Sequence, residues 1–425
     1  MMKPSTSVQQ THLLRASHIQ RAHEKLRKVV KHTPLEFNQS LSDILDAKVF
    51  LKREDLQIVR SYKLRGAYNK MASLSEEEAK KGIVCSSAGN HAQGVAYSCF
   101  KLGISGRIFM PGTTPRQKVR KVQAFGKDLV EIVLTGDTYD DAYAAALEDL
   151  KVHDRIFIHP FDDEKVMEGQ GTVATEILAD TENSIDFLFV PIGGGGLAAG
   201  MGSYFHWLSP HTSVIGVEPL GAPAMKRSLE RGEVLKLEVI DKFVDGAAVK
   251  RVGERTFKIC QEVLEDVALV PEGKVCSTIL QLYNEDAIVV EPAGALSIAA
   301  LDLYKERIKG KTVVCVISGS NNDITRTSEI QERSLLYEGL KHYFIIRFPQ
   351  RAGAMREFLN NVVGPTDDIT RFEYIKKNNR ETGTAFVGIE LLNKEDYAVL
   401  IERMKKYQVH YQPVNDTPNL FSLLV

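Results

Sequence analysis

The sequence predicts an α/β protein with parallel sheets, followed by a smaller α+β domain at the C-terminus. Between about residues 48 and 318, short apolar runs typical of strands alternate with segments rich in helix-forming residues. Such an alternation indicates parallel sheets that are covered by helices on both faces. After about residue 330 the order of predicted elements changes to β-α-β-β-α-β, which is the ferredoxin-like pattern.

The strands of the first part are predicted from the apolar runs themselves. The clearest runs are Lys48–Lys52, Gly82–Cys85, Arg107–Met110, Phe187–Val190, Val214–Val217 and Val313–Ile317. Segments such as Asp141–Leu147 lie between them, and their alanines favour a helix. Several turns from strand to helix are rich in glycine, and ligands of parallel α/β proteins bind at the carboxyl ends of strands. We therefore expect the chemistry to lie in these turns.

The elements of the C-terminal block follow from a change of period. Met355, Phe358, Leu359, Val362 and Val363 have the spacing of an amphipathic helix. The other predicted elements are strands at His342–Phe348, Ile369–Ile375, Thr384–Leu391 and Leu420–Val425, and a second helix over Tyr397–Met404.

These patterns predict the domain boundaries. The first domain comprises residues 1–330, with a smaller subdomain inserted at about 52–155. A linker at 331–340, within a charged helical stretch, leads to a C-terminal domain of residues 341–425.

Composition excludes several classes of protein. Lys and Arg number 54 and Asp and Glu number 55, a formal net charge of −1, so no basic surface for nucleic acid is expected. No apolar run approaches the roughly 18–20 residues of a membrane span. The N-terminus lacks the apolar segment of a secretory signal, although its first 23 residues, free of Asp and Glu, resemble a transit peptide. Five scattered cysteines without CxxC spacing fit reduced thiols in a cytoplasmic protein.

The first loop whose residues could take part in catalysis contains Lys63. Tyr62 precedes this lysine, and Arg65, Gly66 and Ala67 follow it. Neighbours that remove water from an amine lower its pKa, as a Schiff-base lysine requires. A plain surface lysine near a helix start is the alternative.

The second loop lies between a predicted strand and a helix. It carries Ser87, Ala88, Gly89 and Asn90, whose backbone N–H groups at a helix N-terminus are suited to a carboxylate. A simple capped helix start is the alternative. His91 is either a general base or a residue that only packs.

The third loop is rich in glycine and follows the predicted strand at Phe187–Val190. Its residues are Gly193, Gly194, Gly195, Gly196 and Leu197. Successive N–H groups of such a loop can wrap a phosphate, aided by the dipole of the following helix. Gly193, Gly195 and Ala198 also fit the dinucleotide pattern G-x-G-x-x-A, with Glu218 as the acidic residue. This loop alone therefore leaves an NAD-dependent dehydrogenase as an alternative function.

Together the loops resemble the fold-type II pyridoxal-phosphate (PLP) enzymes, the tryptophan synthase β-like group. Within that group the chain is similar to the L-threonine dehydratase (threonine ammonia-lyase) family over about residues 18 to 330. The segments that carry the resemblance are Ser61–Ala67, Ser87–Gly94, Gly193–Ala198, Asp245–Gly253, Glu291–Ala295 and Ser318–Asn321. The C-terminal block, with Phe348–Gly353 after its first strand, is similar to the ACT-like regulatory domain of biosynthetic members. This chain carries one such unit, whereas longer members carry two.

The resemblance implies a role for each site residue. Lys63 holds PLP as a Schiff base and removes the substrate Cα proton. The other implied roles are Tyr62 beside the cofactor ring, Asn90 at its 3′-hydroxyl, Gly193 to Leu197 around the phosphate, Ser318 at the pyridine nitrogen, and Ser87, Ala88, Gly89 and Asn90 at the substrate carboxylate. Glu291 is implied either to support these residues or to be structural.

The implied reaction is β-elimination of L-threonine to 2-oxobutanoate and ammonia, the committed step of isoleucine biosynthesis. Serine-racemase relatives carry Ser where this chain has Ala88, which has no proton to give, so a lyase is favoured over a racemase. An L-serine dehydratase, a racemase-like enzyme and a non-catalytic amino-acid sensor are the alternatives.

The resemblance also implies an assembly and its effectors. A homotetramer is expected, with isoleucine or valine bound near Arg351 and Gly353. No residues show the spacing of oxygen ligands for a cation, so no metal site is expected.

Overall fold

A computed structural model of the chain describes residues 11–375 and 381–417. Contacts divide the chain into two units, the first comprising Met1–Glu272 and Leu282–Asp323 and the second Gly273–Gln281 and Ile324–Val425. The C-terminal boundary between the units falls at residues 323/324, so the segment 331–340 belongs to the second unit, as does the short segment Gly273–Gln281.

The described strands form three sheets. In chain order they are β1 (Leu35–Phe37), β2 (Lys48–Arg53), β3 (Ile83–Ser86), β4 (Gly106–Met110), β5 (Val130–Leu134), β6 (Ile156–Phe157), β7 (Phe187–Pro191), β8 (Ser213–Pro219), β9 (Asp266–Val270), β10 (Thr312–Ile317), β11 (Lys341–Pro349), β12 (Asp368–Ile375), β13 (Thr382–Glu390) and β14 (His410–Pro413).

The described helices lie between these strands. In chain order they are α1 (Ala16–Leu26), α2 (Gln39–Leu45), α3 (Lys63–Met71), α4 (Glu76–Lys81), α5 (Asn90–Leu102), α6 (Arg116–Gly126), α7 (Tyr139–His153), α8 (Glu164–Asp180), α9 (Gly196–Leu208), α10 (Ala224–Arg231), α11 (Glu254–Val263), α12 (Glu272–Asp286), α13 (Pro292–Ala299), α14 (Lys305–Ile308), α15 (Thr327–Tyr337), α16 (Ala354–Asn361) and α17 (Asp396–Lys406).

The first unit contains two sheets. The larger has the order β1-β2-β10-β7-β8-β9, and its pairs are parallel except β1 with β2. The smaller has the order β5-β4-β3-β6 and is parallel throughout. The strands β3, β7 and β10 are buried along their whole length, as expected for strands covered on both faces. The predicted α/β class with parallel sheets is confirmed.

The local sequence explains where several helices begin. The Thr138 side chain accepts a hydrogen bond from the Asp141 N–H and the Asp141 carboxylate accepts one from the Thr138 N–H, a capping box that starts α7. Asp163 caps α8 through the Val166 N–H.

None of the described helices is both long and apolar enough to cross a membrane.

The second unit contains an antiparallel sheet of order β12-β13-β11-β14, with α16 and α17 in the connections. This is the strand order of the ferredoxin-like pattern, and the predicted fold is confirmed. Its core includes Phe344, Phe358, Val387 and Leu400. The fourth strand of the described sheet is β14, which the sequence analysis did not predict. The predicted strand at 420–425 lies outside the described residues.

Candidate active site

The three loops meet at the carboxyl ends of strands in the first unit. Lys63 opens α3, Asn90 opens α5 after β3, and the glycine loop joins β7 to α9. Ser318 follows β10 directly, and its carbonyl accepts a hydrogen bond from the Tyr62 N–H at 3.2 Å.

Lys63 is partly buried, and its amine lies close to a backbone carbonyl and an aromatic ring. Its Nζ donates a hydrogen bond to the Pro160 carbonyl at 2.9 Å and lies 5.2 Å from the centroid of the Tyr62 ring. Burial lowers the pKa of Lys63 to about 8, although the negative charge of Glu291 opposes this shift. Near pH 8 a substantial fraction of such an amine is unprotonated, and the unprotonated amine can act as a nucleophile or base.

A buried ion cluster holds the helix that Lys63 opens. Arg65 is fully buried, and its guanidinium donates to Glu54 and Glu176 at distances of 2.7 to 2.9 Å. Lys52, also fully buried, donates to Glu176 at 2.8 Å. Because Arg65 lies two positions after Lys63, the cluster fixes the first turn of α3.

The glycine loop forms a cradle that side chains would fill. A Cβ at Gly194 would lie 2.2 Å from the Phe161 ring, and one at Gly196 would lie 2.5 Å from Gln170 Oε1. Gly195 has φ +94°, a backbone conformation that favours glycine. In the described part of the chain, no residue accepts a hydrogen bond from the N–H groups of Gly193 to Gly195.

This cradle fits the phosphate of PLP. Backbone N–H groups at the start of α9 supply donors and a helix dipole, which together suit a dianion. Phe161 connects the cradle to Lys63, because it follows Pro160, the residue that accepts the Lys63 hydrogen bond.

The loop before α5 offers part of an anion site. The Ser87 N–H donates to the Phe109 carbonyl, so Ser87 can contribute only its hydroxyl. The Gly89 N–H contacts Ser87 Oγ at 3.3 Å. Among the described residues, none accepts a hydrogen bond from the N–H of Ala88 or Asn90.

His91 lies inside α5 and is buried. Its Nε2 contacts the Ile158 carbonyl at 2.9 Å, and burial, together with the charge of Lys63, lowers its pKa to about 3. A histidine with this pKa does not take up a proton near neutral pH, which favours the packing interpretation of His91 over a general base.

Asn90 contacts two residues that come from distant parts of the sequence. Its Nδ2 donates to Glu291 at 2.6 Å, and its Oδ1 accepts from Asn321 Nδ2 at 2.6 Å. Ser318 is buried, and its hydroxyl donates to the Ala293 carbonyl at 3.2 Å. Sequence analysis assigned no role to Asn321, although it ends the segment Ser318–Asn321 that carries the resemblance.

Glu218 does not fill the place of a ribose-binding residue. Its carboxylate accepts hydrogen bonds from the N–H groups of Met225 and Lys226 at 2.7 and 2.8 Å and so holds the start of α10. Its side chain is fully buried. Glu218 is therefore not available as the acidic residue that a dinucleotide site needs for the ribose, and the dinucleotide interpretation of the glycine loop loses this support.

One cluster in the described part of the chain brings together three side chains that could ligate a metal: His18, Glu164 and Glu168. Lys165 donates to both carboxylate oxygens of Glu168, at 3.0 and 2.8 Å. The Lys165 ammonium thus already compensates the negative charge of Glu168, which would otherwise attract a metal cation.

In the second unit, Gly353 precedes α16 with φ +87° and has open space around it. Arg351 is exposed and forms a bidentate ion pair with Glu357 at 2.7 and 2.5 Å.

The lysine at the start of α3, the glycine cradle and the hydroxyl after β10 fit a PLP-dependent enzyme of fold type II, and the family comparison shows that class. The family described as "Pyridoxal-phosphate dependent enzyme" matches residues 26–319. The family described as "C-terminal regulatory domain of Threonine dehydratase" matches residues 332–424.

Individual proteins narrow the class. The "L-threonine dehydratase biosynthetic IlvA" of Bacillus subtilis (strain 168) is 59% identical over 424 residues, covering 100% of each chain. The processed form of threonine deaminase isoform 2 from Solanum lycopersicum is 40% identical with a TM-score of 0.72, over 77% of this chain and 91% of that chain. A serine racemase from Dictyostelium discoideum is 31% identical with a TM-score of 0.68, over 74% and 100%. The chain belongs to the biosynthetic L-threonine dehydratases.

Proposed function

We propose that this chain catalyses the PLP-dependent β-elimination of L-threonine to 2-oxobutanoate and ammonia, the committed step of isoleucine biosynthesis. The observation that carries this proposal is the likeness to the Bacillus subtilis enzyme over the full length of both chains. The partly buried Lys63, with its lowered pKa, and the glycine cradle support it from the structure.

Lys63 holds the cofactor covalently through Nζ and later moves the proton of the substrate Cα. PLP, when bound, supplies an electron sink for the breaking Cα–H bond. The lowered pKa of Lys63 makes its amine available for both tasks. Tyr62 packs beside the cofactor ring, and the Pro160 carbonyl holds the amine when it is free.

The other loops orient the cofactor and the substrate. Gly193 to Leu197 would hold the phosphate, and the hydroxyl of Ser318 would contact the pyridine nitrogen. The Ser87 hydroxyl and the N–H groups of Ala88 and Asn90 bind the substrate carboxylate. Because Ala88 has no acidic proton, the chain does not protonate the opposite face of the substrate, and elimination is favoured over racemisation.

The first test is the product and the site of attachment. We expect purified protein to absorb in the visible range and to form 2-oxobutanoate from L-threonine. Borohydride reduction followed by peptide mass spectrometry should place the cofactor on Lys63. Lys63→Ala should lose turnover and keep its fold, whereas the control Lys70→Ala on the same helix should retain turnover. Label on another lysine, or formation of D-serine from L-serine as the main activity, would contradict the proposal.

The second unit is proposed as the regulatory domain. Isoleucine and valine are its proposed effectors, bound near Arg351 and Gly353. We also propose that the enzyme is a homotetramer in the cytoplasm; sedimentation velocity of the purified chain tests the assembly, and a monomer would contradict it.

A further inference from the structure

Glu291 connects two parts of the active site. It lies directly before α13, is 6% exposed, and accepts a hydrogen bond at each carboxylate oxygen. Oε1 accepts from Asn90 Nδ2 at 2.6 Å, and Oε2 accepts from the Asn321 N–H at 3.2 Å. A Cβ at Gly319 would lie 2.4 Å from Oε1, so the carboxylate is packed against this backbone. Both oxygens of Glu291 therefore accept hydrogen bonds from fixed donors of this chain, while burial raises the pKa of the carboxyl group to about 7.

The other end of the network fixes its direction. Asn321 Nδ2 donates to the Val59 carbonyl at 2.9 Å and to Asn90 Oδ1 at 2.6 Å. Asn321 Oδ1 accepts from Lys121 Nζ at 3.3 Å. A carbonyl can only accept and an ammonium can only donate, so the orientation of the Asn321 amide is determined by its neighbours.

These contacts leave one orientation for the Asn90 amide. Asn321 presents an N–H to its oxygen, and Glu291 presents an oxygen to its nitrogen. A flipped Asn90 amide would place two N–H donors against each other at Asn321, which is partly buried, and two oxygens against each other at Glu291, which is buried. One hydrogen of Asn90 Nδ2 is used by Glu291, and the second is free to reach a ligand.

We propose that Glu291 is a positioning residue that keeps an N–H of Asn90, rather than its carbonyl oxygen, directed at the cofactor. This rests on the proposed function, in which Asn90 contacts the 3′-oxygen of PLP. An N–H stabilises that oxygen in its anionic form, whereas a carbonyl oxygen would repel it. The chain thus sets the polarity of one cofactor contact through a residue that does not touch the cofactor.

A pair of variants separates this role from simple packing. Glu291→Gln leaves one of the two donors, from Asn90 or Asn321, without an acceptor. The double variant Asn90→Asp with Glu291→Gln moves the carboxylate from position 291 to position 90. In it the new amide at position 291 donates to the new carboxylate at position 90 and still accepts from the Asn321 N–H, so every hydrogen bond and the net charge are kept. Only the group that faces the cofactor changes, from a donor to an acceptor.

Three measurements follow: the melting temperature of the apo-protein, the apparent dissociation constant of PLP, and the visible absorbance maximum of the loaded protein. For Glu291→Gln we expect an apo-protein that melts earlier, PLP binding weakened about ten-fold, and a shifted maximum. For the double variant we expect the melting temperature to recover while PLP binding stays weakened and the maximum stays shifted. Glu230→Gln, at an exposed position of helix α10, is the control for loss of one carboxylate.

Recovery of both PLP affinity and absorbance in the double variant would overturn the inference. The double variant restores only the hydrogen bonds between positions 90, 291 and 321, so full recovery would mean that Glu291 has a packing role alone. Unchanged PLP binding in Glu291→Gln would overturn it too. Should these variants not fold, Asn321→Ala removes the donor at the other end, and a wild-type spectrum in that variant counts against the inference. Labelling at Lys63 in the wild-type protein tests the proposed function separately, so the two failures are distinguishable.

Discussion

Ser318 carries a hydroxyl group at a position where a carboxylate would change the protonation of the proposed cofactor. Its side chain is buried after β10 and contacts the Ala293 carbonyl. A hydroxyl does not keep a pyridine nitrogen protonated, whereas a carboxylate does, and the protonated ring withdraws electrons more strongly. At the pyridine nitrogen, the position proposed for Ser318, a hydroxyl would favour rapid elimination.

Exchange of this hydroxyl tests its position. We expect Ser318→Asp to slow the release of 2-oxobutanoate and to prolong an absorbance at long wavelength, because the stronger electron sink stabilises the deprotonated substrate. Stopped-flow spectroscopy with L-threonine measures both effects. Ser318→Thr keeps the hydroxyl and should resemble the wild type. An Asp variant with wild-type spectra and rates would show that Ser318 lies away from the ring.

Residues adjacent in sequence were easier to predict than residues joined by the fold. Lys63 and the glycine loop could be predicted because the residues that mark them are consecutive in the sequence, although residues that contact them, such as Pro160 and Phe161, are distant. Asn90 and Asn321 are 231 positions apart, and no local pattern shows that their amides meet. The Pro160 carbonyl beside Lys63 was missed for the same reason, because a backbone carbonyl carries no signature in the sequence.

At the scale of elements, the fully buried strands and the edge strand β12 were predicted, whereas the edge strand β14 was not. β7 and β10 are uninterrupted apolar runs, which is what burial on both faces requires. β14 contains His410, Tyr411, Gln412 and Pro413, and alternate residues are exposed. Its extended form comes from pairing with β11, which is a tertiary contact and not a local preference.

The ion cluster under α3 should make the stability of the first unit sensitive to acid. Arg65 and Lys52 outweigh the opposing effect of burial and lower the pKa of Glu176 to about 2. The folded state thus binds a proton less readily than the unfolded chain. The resulting stabilisation is present above the ordinary glutamate pKa, 4.5, and is lost as the pH falls towards 2.

Glu176→Gln removes this titration. We expect it to lower the free energy of unfolding by roughly 3 kcal/mol at pH 7, with a difference from wild type that shrinks between about pH 4.5 and pH 2. Urea denaturation at a series of pH values measures this. Glu131→Gln, which breaks an exposed ion pair with Arg107, should change stability far less. A Glu176→Gln difference that is constant with pH would mean that the cluster does not titrate in this range.

At the scale of the whole molecule, one chain combines a unit with parallel sheets and a unit with an antiparallel sheet. The PLP-dependent family matches the former and the threonine dehydratase regulatory family matches the latter. The residues with catalytic potential, from Lys63 to Ser318, all lie in the first unit. The second unit offers Gly353, a glycine in a left-handed conformation with open space around it, at the turn after β11.

Substitution at this turn tests whether the second unit binds the effector. An effector changes activity only through different affinities for two states, and typical coupling corresponds to roughly 5- to 150-fold in affinity. A Cβ at position 353 would occupy the open space and strain the backbone, so Gly353→Ala should weaken the response to isoleucine at least about five-fold and leave turnover without isoleucine unchanged. Gly310 is matched to it, with φ +70° and open surroundings in the first unit, so Gly310→Ala should keep the wild-type response. Inhibition curves of the full chain at several isoleucine concentrations decide the matter. Equal responses in both variants would place the effector site away from the turn after β11.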